Sequence, residues 1–182
     1  AFNFGVGDVS KSTVARVMEE AFGYPLAIDP TTFIGEAVEK GEGNGLHDGR
    51  LVTCPLQPAA GRAYQRVIKT GGADGWGHDL RTACVGGRPV VVFVKQKPAS
   101  ARFSIQNTSV VVKAPEEVFS SYELEQLSRF CTAMKLDWGG IDVLREHASG
   151  RLYQPIVVQH RPFAGDRPEG TIEVSVLGGN DE

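Results

Sequence analysis

Cysteine is scarce in this chain, and its few copies lie far apart. Cys54, Cys84 and Cys131 are the only three in 182 residues. No Cys-x-x-Cys pair occurs, so neither a zinc site nor a disulfide framework is expected. A reducing compartment, the cytoplasm, suits such a chain best. Long apolar runs are also missing: none approaches the roughly 20 residues that a membrane helix needs, which excludes a helical span. There is no surplus of positive charge either, since 19 Lys+Arg stand against 22 Asp+Glu for a net charge of −3. That balance makes no field for a polyphosphate backbone, so nucleic acid is not expected as a partner. His47, His78, His147 and His160 have no metal-ligand spacing, and His47-Asp48 reads as turn chemistry. A Gly-x-Ser-x-Gly elbow and a Walker A loop are both absent. The chain opens Ala-Phe-Asn-Phe-Gly, with no initiator Met and no basic-then-apolar leader. It is therefore expected to be a piece of a longer protein.

What is present is a foldable composition, 41% hydrophobic and 23% charged, enough for one core or two small lobes. Ser10 is a good N-cap, and Val14, Val17, Met18, Ala21 and Phe22 recur at helical spacing. The pattern predicts a helix over 11–21, stopped by Gly23 and Pro25. Two short apolar stretches, Leu26–Ile28 and Ile34–Val38, flank the turn signal Asp29-Pro30. Strands are predicted at Leu51–Cys54 and Ala63–Ile68, and a Gly-rich hinge between lobes at Thr70–His78. Val90–Val94 and Val110–Val112 read as buried strands. Ser120 and Glu123 make a capping box before the stripe Leu124, Leu127, Phe130, Cys131 and Met134. Gly140–Leu144 and Leu152–Val158 read as a hairpin turned at Ser149-Gly150, and Thr171–Val176 as a last strand. The class is α+β in two lobes, a smaller one over 1–70 and a larger one over 71–182.

Three segments carry candidate chemistry. Ala37-Val38-Glu39-Lys40 runs directly into the Gly-rich loop 41–49. A strand ending in lysine fixes an ammonium, and the glycines after it let backbone N–H groups approach phosphate oxygens. In the segment Asp137–Arg145, Asp142 sits between apolar residues. An ionised carboxylate there is costly unless it is paired to a nearby Arg or Lys or binds a cation, and the sequence leaves both open. Tyr64–Ile68 is a strand whose edge could offer backbone groups to a purine ring.

In this order the segments resemble the ATP-grasp superfamily, at its glutathione-synthetase-like and RimK-like end. Val38-Glu39-Lys40 with the Gly loop resembles that family's strand and loop over the phosphates. Tyr64–Ile68 resembles its adenine-contacting linker. Asp79-Leu80-Arg81 before Val85-Gly86-Gly87-Arg88-Pro89-Val90 resembles its Asp/Glu-x-Arg strand and glycine turn. Met134–Leu144 followed by Gly150-Arg151-Leu152-Tyr153 is the most specific match, and the resemblance covers about residues 8–160. It implies an ATP-grasp-like pair of lobes with antiparallel sheets, and ATP- and Mg²⁺-dependent ligation of a small-molecule carboxylate to an amine or thiol, releasing ADP and phosphate. By the same resemblance Lys11 and Lys40, with Gly43 and Gly45, meet the ATP phosphates. Gln65, Arg66, Val67 and Ile68 hold adenine. Arg81, Lys95, Lys97 or Arg102 stabilises the acyl phosphate, with Asn107 lining the same cleft, and Asp142 binds Mg²⁺.

The match breaks on the strand after Gly-Arg-x-Tyr, where the family carries Glu/Asp-x-Asn. Here it reads Gln154-Pro155-Ile156-Val157-Val158-Gln159. The carboxylate position falls on Ile156 or Val157 and the Asn position on Val158 or Gln159, of which Gln159 alone offers a side-chain oxygen. The family's additional N-terminal domain, which helps bind the acceptor substrate, has no counterpart in these residues, and a further reading makes the chain part of a larger assembly, such as a homo-oligomer, whose other chain supplies the missing groups. The rival reading is a nucleotide-binding or interaction domain that keeps the ATP-grasp shape without its catalysis.

Overall fold

Ser10 opens the first helix as its spacing predicts, its hydroxyl accepting from the Thr13 N–H at 3.3 Å. Helix α1 runs Lys11–Phe22 and ends at Gly23, whose φ of 80° closes the last turn without a Cβ clash. The computed structural model describes residues 7–43, 45–46, 48–72, 74–101 and 108–159. The expected strand Thr171–Val176 lies outside them, as do Arg102, Asn107 and His160.

Two antiparallel sheets follow. The first holds β1 (Gly35–Gly41), β2 (Arg50–Cys54) and β3 (Arg62–Arg66) in the order β2-β1-β3. The apolar stretch Leu26–Ile28 lies along the free side of β3, bridging Ala27 to Gln65 and bonding at Arg66 N to Leu26 O and Ile28 N to Tyr64 O. β3 ends at Arg66, two residues short of the expected Ile68, whose side chain turns into the main core at 3% exposure.

The second sheet is β6-β5-β4-β7-β8, from β4 (Trp76–Val85), β5 (Arg88–Pro98), β6 (Ser109–Lys113), β7 (Trp138–Arg145) and β8 (Leu152–Gln159). Gly86 and Gly87, at φ 57° and 73°, turn the β4–β5 hairpin; such paired left-handed residues match the twist of its strands. Trp76, Gly77 and His78 belong to β4, opposite Pro98, Lys97 and Gln96, so the link between the sheets is shorter than the expected Thr70–His78 hinge. The apolar run Val90–Val94 marks only the middle of β5, which continues through Lys95, Gln96 and Lys97. Val110, Val111 and Val112 form a strand as expected but are not buried. They lie on β6 at the edge of the sheet, about half-exposed, because an edge strand has a neighbour on one side only.

Helices α2 (Pro115–Val118) and α3 (Ser121–Ala133) connect β6 to β7. In the α3 capping box the Glu123 N–H donates to Ser120 Oγ, and the Ser120 N–H to Glu123 Oε2 at 2.8 Å. Glu123 also holds Arg145.

One buried cluster joins Val14, Met18 and Phe22 of α1, Leu127, Phe130 and Cys131 of α3, and Leu80, Val92, Ile141 and Val143 of the large sheet. At about 1.5–3 kcal/mol for each fully buried large apolar side chain, this cluster is the main source of stability. Helix α1, placed with the first lobe from sequence, packs against α3 and β8 of the second. Tyr24 strengthens that join: its hydroxyl donates to Leu152 O at 2.7 Å, its ring meets Tyr153 edge-on, and burial pushes its pKa up to about 12. The three cysteines are buried free thiols, as core residues should be; the Cys84 and Cys131 sulfurs lie 3.6 Å apart, and that contact together with burial raises the Cys131 pKa. Among the described residues no helix is long and apolar enough to cross a membrane.

Candidate functional site

On the first sheet, β1 delivers Lys40 beside Gln65 of β3. Lys40 Nζ donates to Gln65 Oε1 at 3.1 Å. Gln65 is 2% exposed, and among the described residues its Nε2 has no hydrogen-bond partner. An orphaned buried N–H donor costs about 1–3 kcal/mol.

The other face of β1 carries a charge network that composition and spacing did not reveal. Glu39, 4% exposed, accepts from Arg50 Nε at 3.0 Å, Arg62 Nε at 3.0 Å and the Tyr64 hydroxyl at 3.1 Å. Burial raises its pKa, but the bonds from Arg50, Tyr64 and Arg62 and the Arg50 charge outweigh burial and leave it below 4.5. A carboxyl lowered in the folded state stabilises the fold above its unfolded pKa and loses that contribution as pH falls through the folded value. The stability gap between wild type and Glu39→Gln should therefore be widest above about pH 5 and shrink on acidification. Urea denaturation at stepped pH reads it; a gap that stays constant down to about pH 2 would refute the network's role.

The Gly loop is pinned at both ends. Asp48 accepts the Gly41 N–H at 3.0 Å and also binds Arg62 Nη1. A Cβ on Gly41 would stand 2.6 Å from Leu46 Cδ1 and 2.9 Å from the Asp48 carboxylate, so both side chains would have to shift to admit one. Gly45, at φ 75°, turns it in the left-handed region. Lys11 anchors the loop to α1, its N–H donating to Glu42 O at 3.1 Å and its ammonium to Gly43 O at 3.2 Å. Burial lowers the Lys11 pKa, against the opposing pull of Asp48 and Glu42. Lys11 thus shapes the loop that was expected to meet phosphates. Gln65 and Lys40 stand together, whereas Arg66 is exposed, with its N–H spent on Leu26 O, and Ile68 is in the core.

The second group lies on the large sheet, on the side away from α3. Strand alternation sends Leu80, Thr82 and Cys84 into the core and leaves Asp79 and Arg81 on the other side. The register sets Asp79 opposite Lys95 and Arg81 opposite Asp142. Arg81 grips Asp142 with two bonds, Nε to Oδ1 and Nη2 to Oδ2, the latter 2.9 Å. Lys97 Nζ pairs with Asp79 at 2.7 Å. Lys95 is half-buried between them. Burial and then the Arg81 charge hold its pKa below the usual lysine value. Asp142 is thus paired to an arginine in the structure.

No family model matches the sequence. No curated protein matches it either. Solved structures do match in shape. Over 86% of this chain and 52% of the other, at 15% identity and TM-score 0.56, it is similar to the ATP-grasp ligase PsnB complexed with precursor peptide PsnA2 and AMPPNP. Over 83% of this chain and 40% of the other, at 13% identity and TM-score 0.55, it is similar to the L-amino acid ligase from Bacillus licheniformis. The fold is ATP-grasp-like. The chain spans about half the length of the PsnB structures it matches, 50% in one of them.

β8 pairs with β7 in antiparallel register. Asp142 lies opposite Ile156, and Gln159 lies opposite Gly139, three positions along β7 from Asp142. Among the described residues no three His, Cys, Asp or Glu side chains gather as a metal-ligand set.

A cavity of about 410 Å³ that the sequence did not announce opens between the large sheet and α2, lined by His78, Lys113, Glu117, Arg145 and His147 among others. Its Arg145 is already committed to Glu123, Val118 O and Gly150 O. Leu80 and Val94 also line it, which puts it on the opposite side of the strands from the Arg81–Asp142 pair.

Proposed function

We propose that this chain is the nucleotide-binding part of an ATP-dependent ligase that activates a carboxylate and joins it to an amine or thiol. The observation that carries the reading is the buried, unpartnered Gln65 Nε2 beside Lys40. A purine ring nitrogen is a planar acceptor of the kind this N–H lacks, and Lys40 provides the cation for the adjoining phosphate. The solved PsnB complex with Mg and ADP supports nucleotide use by a protein of this shape.

In the proposed reaction a carboxylate oxygen of the substrate attacks the γ-phosphorus of ATP, and the bond to the bridging oxygen breaks to release ADP. The amine or thiol then adds to the acyl carbon, gives up its proton, and phosphate leaves. Phosphoryl transfer of this kind depends on positioning and charge stabilisation more than on covalent help from the protein. Lys11 keeps the loop in place, Lys40 and Gln65 hold the nucleotide, and Lys95, flanked by Arg81 and Lys97, meets the anionic reactant. Arg102, outside the described residues, is proposed for the same role on the resemblance alone.

A second reading, nucleotide binding without ligation, is favoured by the hydrocarbon of Ile156 opposite Asp142. Release of ADP and phosphate over a panel of amino acids and small carboxylates, with an amine acceptor, separates the two. Calorimetric titration of ATP tests what they share. Lys40→Ala should weaken binding by about tenfold or more, the loss of one charge-assisted contact. Equal affinity in wild type and Lys40→Ala would sink the nucleotide site.

A further inference from the structure

We infer that nucleotide binding by this chain does not require a divalent cation, because the Arg81 guanidinium already occupies the carboxylate that a metal would need. The inference rests on the nucleotide reading above and on the resemblance that assigns Asp142 to the metal. Magnesium demands near-octahedral oxygen coordination and is usually held by one or two carboxylates together with substrate phosphates. On the large sheet the residue expected to supply the first carboxylate is Asp142, and both of its oxygens accept from Arg81. Its side chain is 17% exposed and that of Arg81 33%, so the pair is partly withdrawn from water. Opening it for a metal would strand a guanidinium near Lys95.

Among the described residues the neighbours do not make up the loss. Across β8 the position opposite Asp142 is Ile156, which has no oxygen in its side chain. On β4 and β5 the remaining carboxylate, Asp79, is bound to Lys97. The described face thus sets three cations, Arg81, Lys95 and Lys97, against two carboxylates, Asp79 and Asp142. A face with surplus positive charge repels a metal ion and attracts an anion. It favours free ATP, which carries more negative charge than its magnesium complex.

The test is calorimetric titration of ATP into the whole chain, first in EDTA and then in excess Mg²⁺. Binding in EDTA that is equal to or tighter than binding in Mg²⁺ is the expected result. Tightening by about tenfold or more on adding Mg²⁺, or binding seen only with Mg²⁺, overturns the inference while the nucleotide site survives. Absence of binding under both conditions overturns the nucleotide reading and this inference with it. A second measurement uses Mn²⁺ alone, followed by electron paramagnetic resonance. Wild type should leave millimolar Mn²⁺ free, and Arg81→Gln, with Asp142 released, should take up more of it. Stoichiometric Mn²⁺ binding by wild type would count against the inference whether or not the variant folds.

Discussion

Gln65→Met should melt at a higher temperature than wild type when no ATP is present, and should lose most of the stabilisation that ATP confers on wild type. Methionine has nearly the volume of glutamine and no polar N–H to strand. Removing the buried orphan Nε2 is worth about 1–3 kcal/mol, against about 1 kcal/mol for the lost bond from Lys40 to Oε1. On the proposed reading, free wild type carries that cost because a ligand relieves it. Ligand at about a hundredfold excess over its dissociation constant stabilises a protein by about 2.7 kcal/mol, so the ATP-dependent part of the shift is readable by thermal denaturation. A variant that is less stable than wild type and equally responsive to ATP would show that Gln65 is a packing residue only. The opposite pattern, gained stability with lost response, is the signature of a binding group kept at a cost to the fold.

Phe130→Ala should have the largest effect on stability, a loss of about 3–5 kcal/mol. Phe130 is fully buried on α3, in the cluster that joins α1 and α3 to the large sheet. The cavity left by the ring opens at that junction, so little of it can be refilled by movement of one element. For a chain of this size the melting temperature should fall by on the order of ten degrees. Val111→Thr is the control, since Val111 is half-exposed on the edge strand β6 and should change stability by less than about 0.5 kcal/mol. Equal effects of the two variants would mean that the cluster is not the core of the molecule.

Much of the local structure was legible because it depends on residues a few positions apart. Ser10 and Gly23 bound α1 to within one residue, since a side-chain oxygen at one end and a left-handed glycine at the other act within a single turn. The Ser120–Glu123 box set the start of α3 in the same way, and Gly86-Gly87 set the β4–β5 hairpin. The motifs around Lys40, Gln65 and Asp142 pointed to an ATP-grasp-like shape, and the solved structures share it.

What the chain order could not convey was which distant residues meet. Asp142 reads equally well as a metal ligand or as half of an ion pair until β4 is laid against β7, and its partner Arg81 is 61 residues away. The orphaned Gln65 amide, the Glu39 network and the pinning of the Gly loop by Lys11 and Asp48 are likewise contacts between separate elements. Val110–Val112 reads as apolar enough for the interior, yet its place in the strand order left it at the edge. Helix α1 looked like part of the first lobe because it precedes that lobe, but its apolar face found its complement on α3 and β8. Caps, turns and periodicity are determined by the sequence itself because their energies are local. Register, pairing and the choice of a burial partner were decided only in the tertiary structure, because β pairing can shift by one residue and exchange the side chains presented on each face.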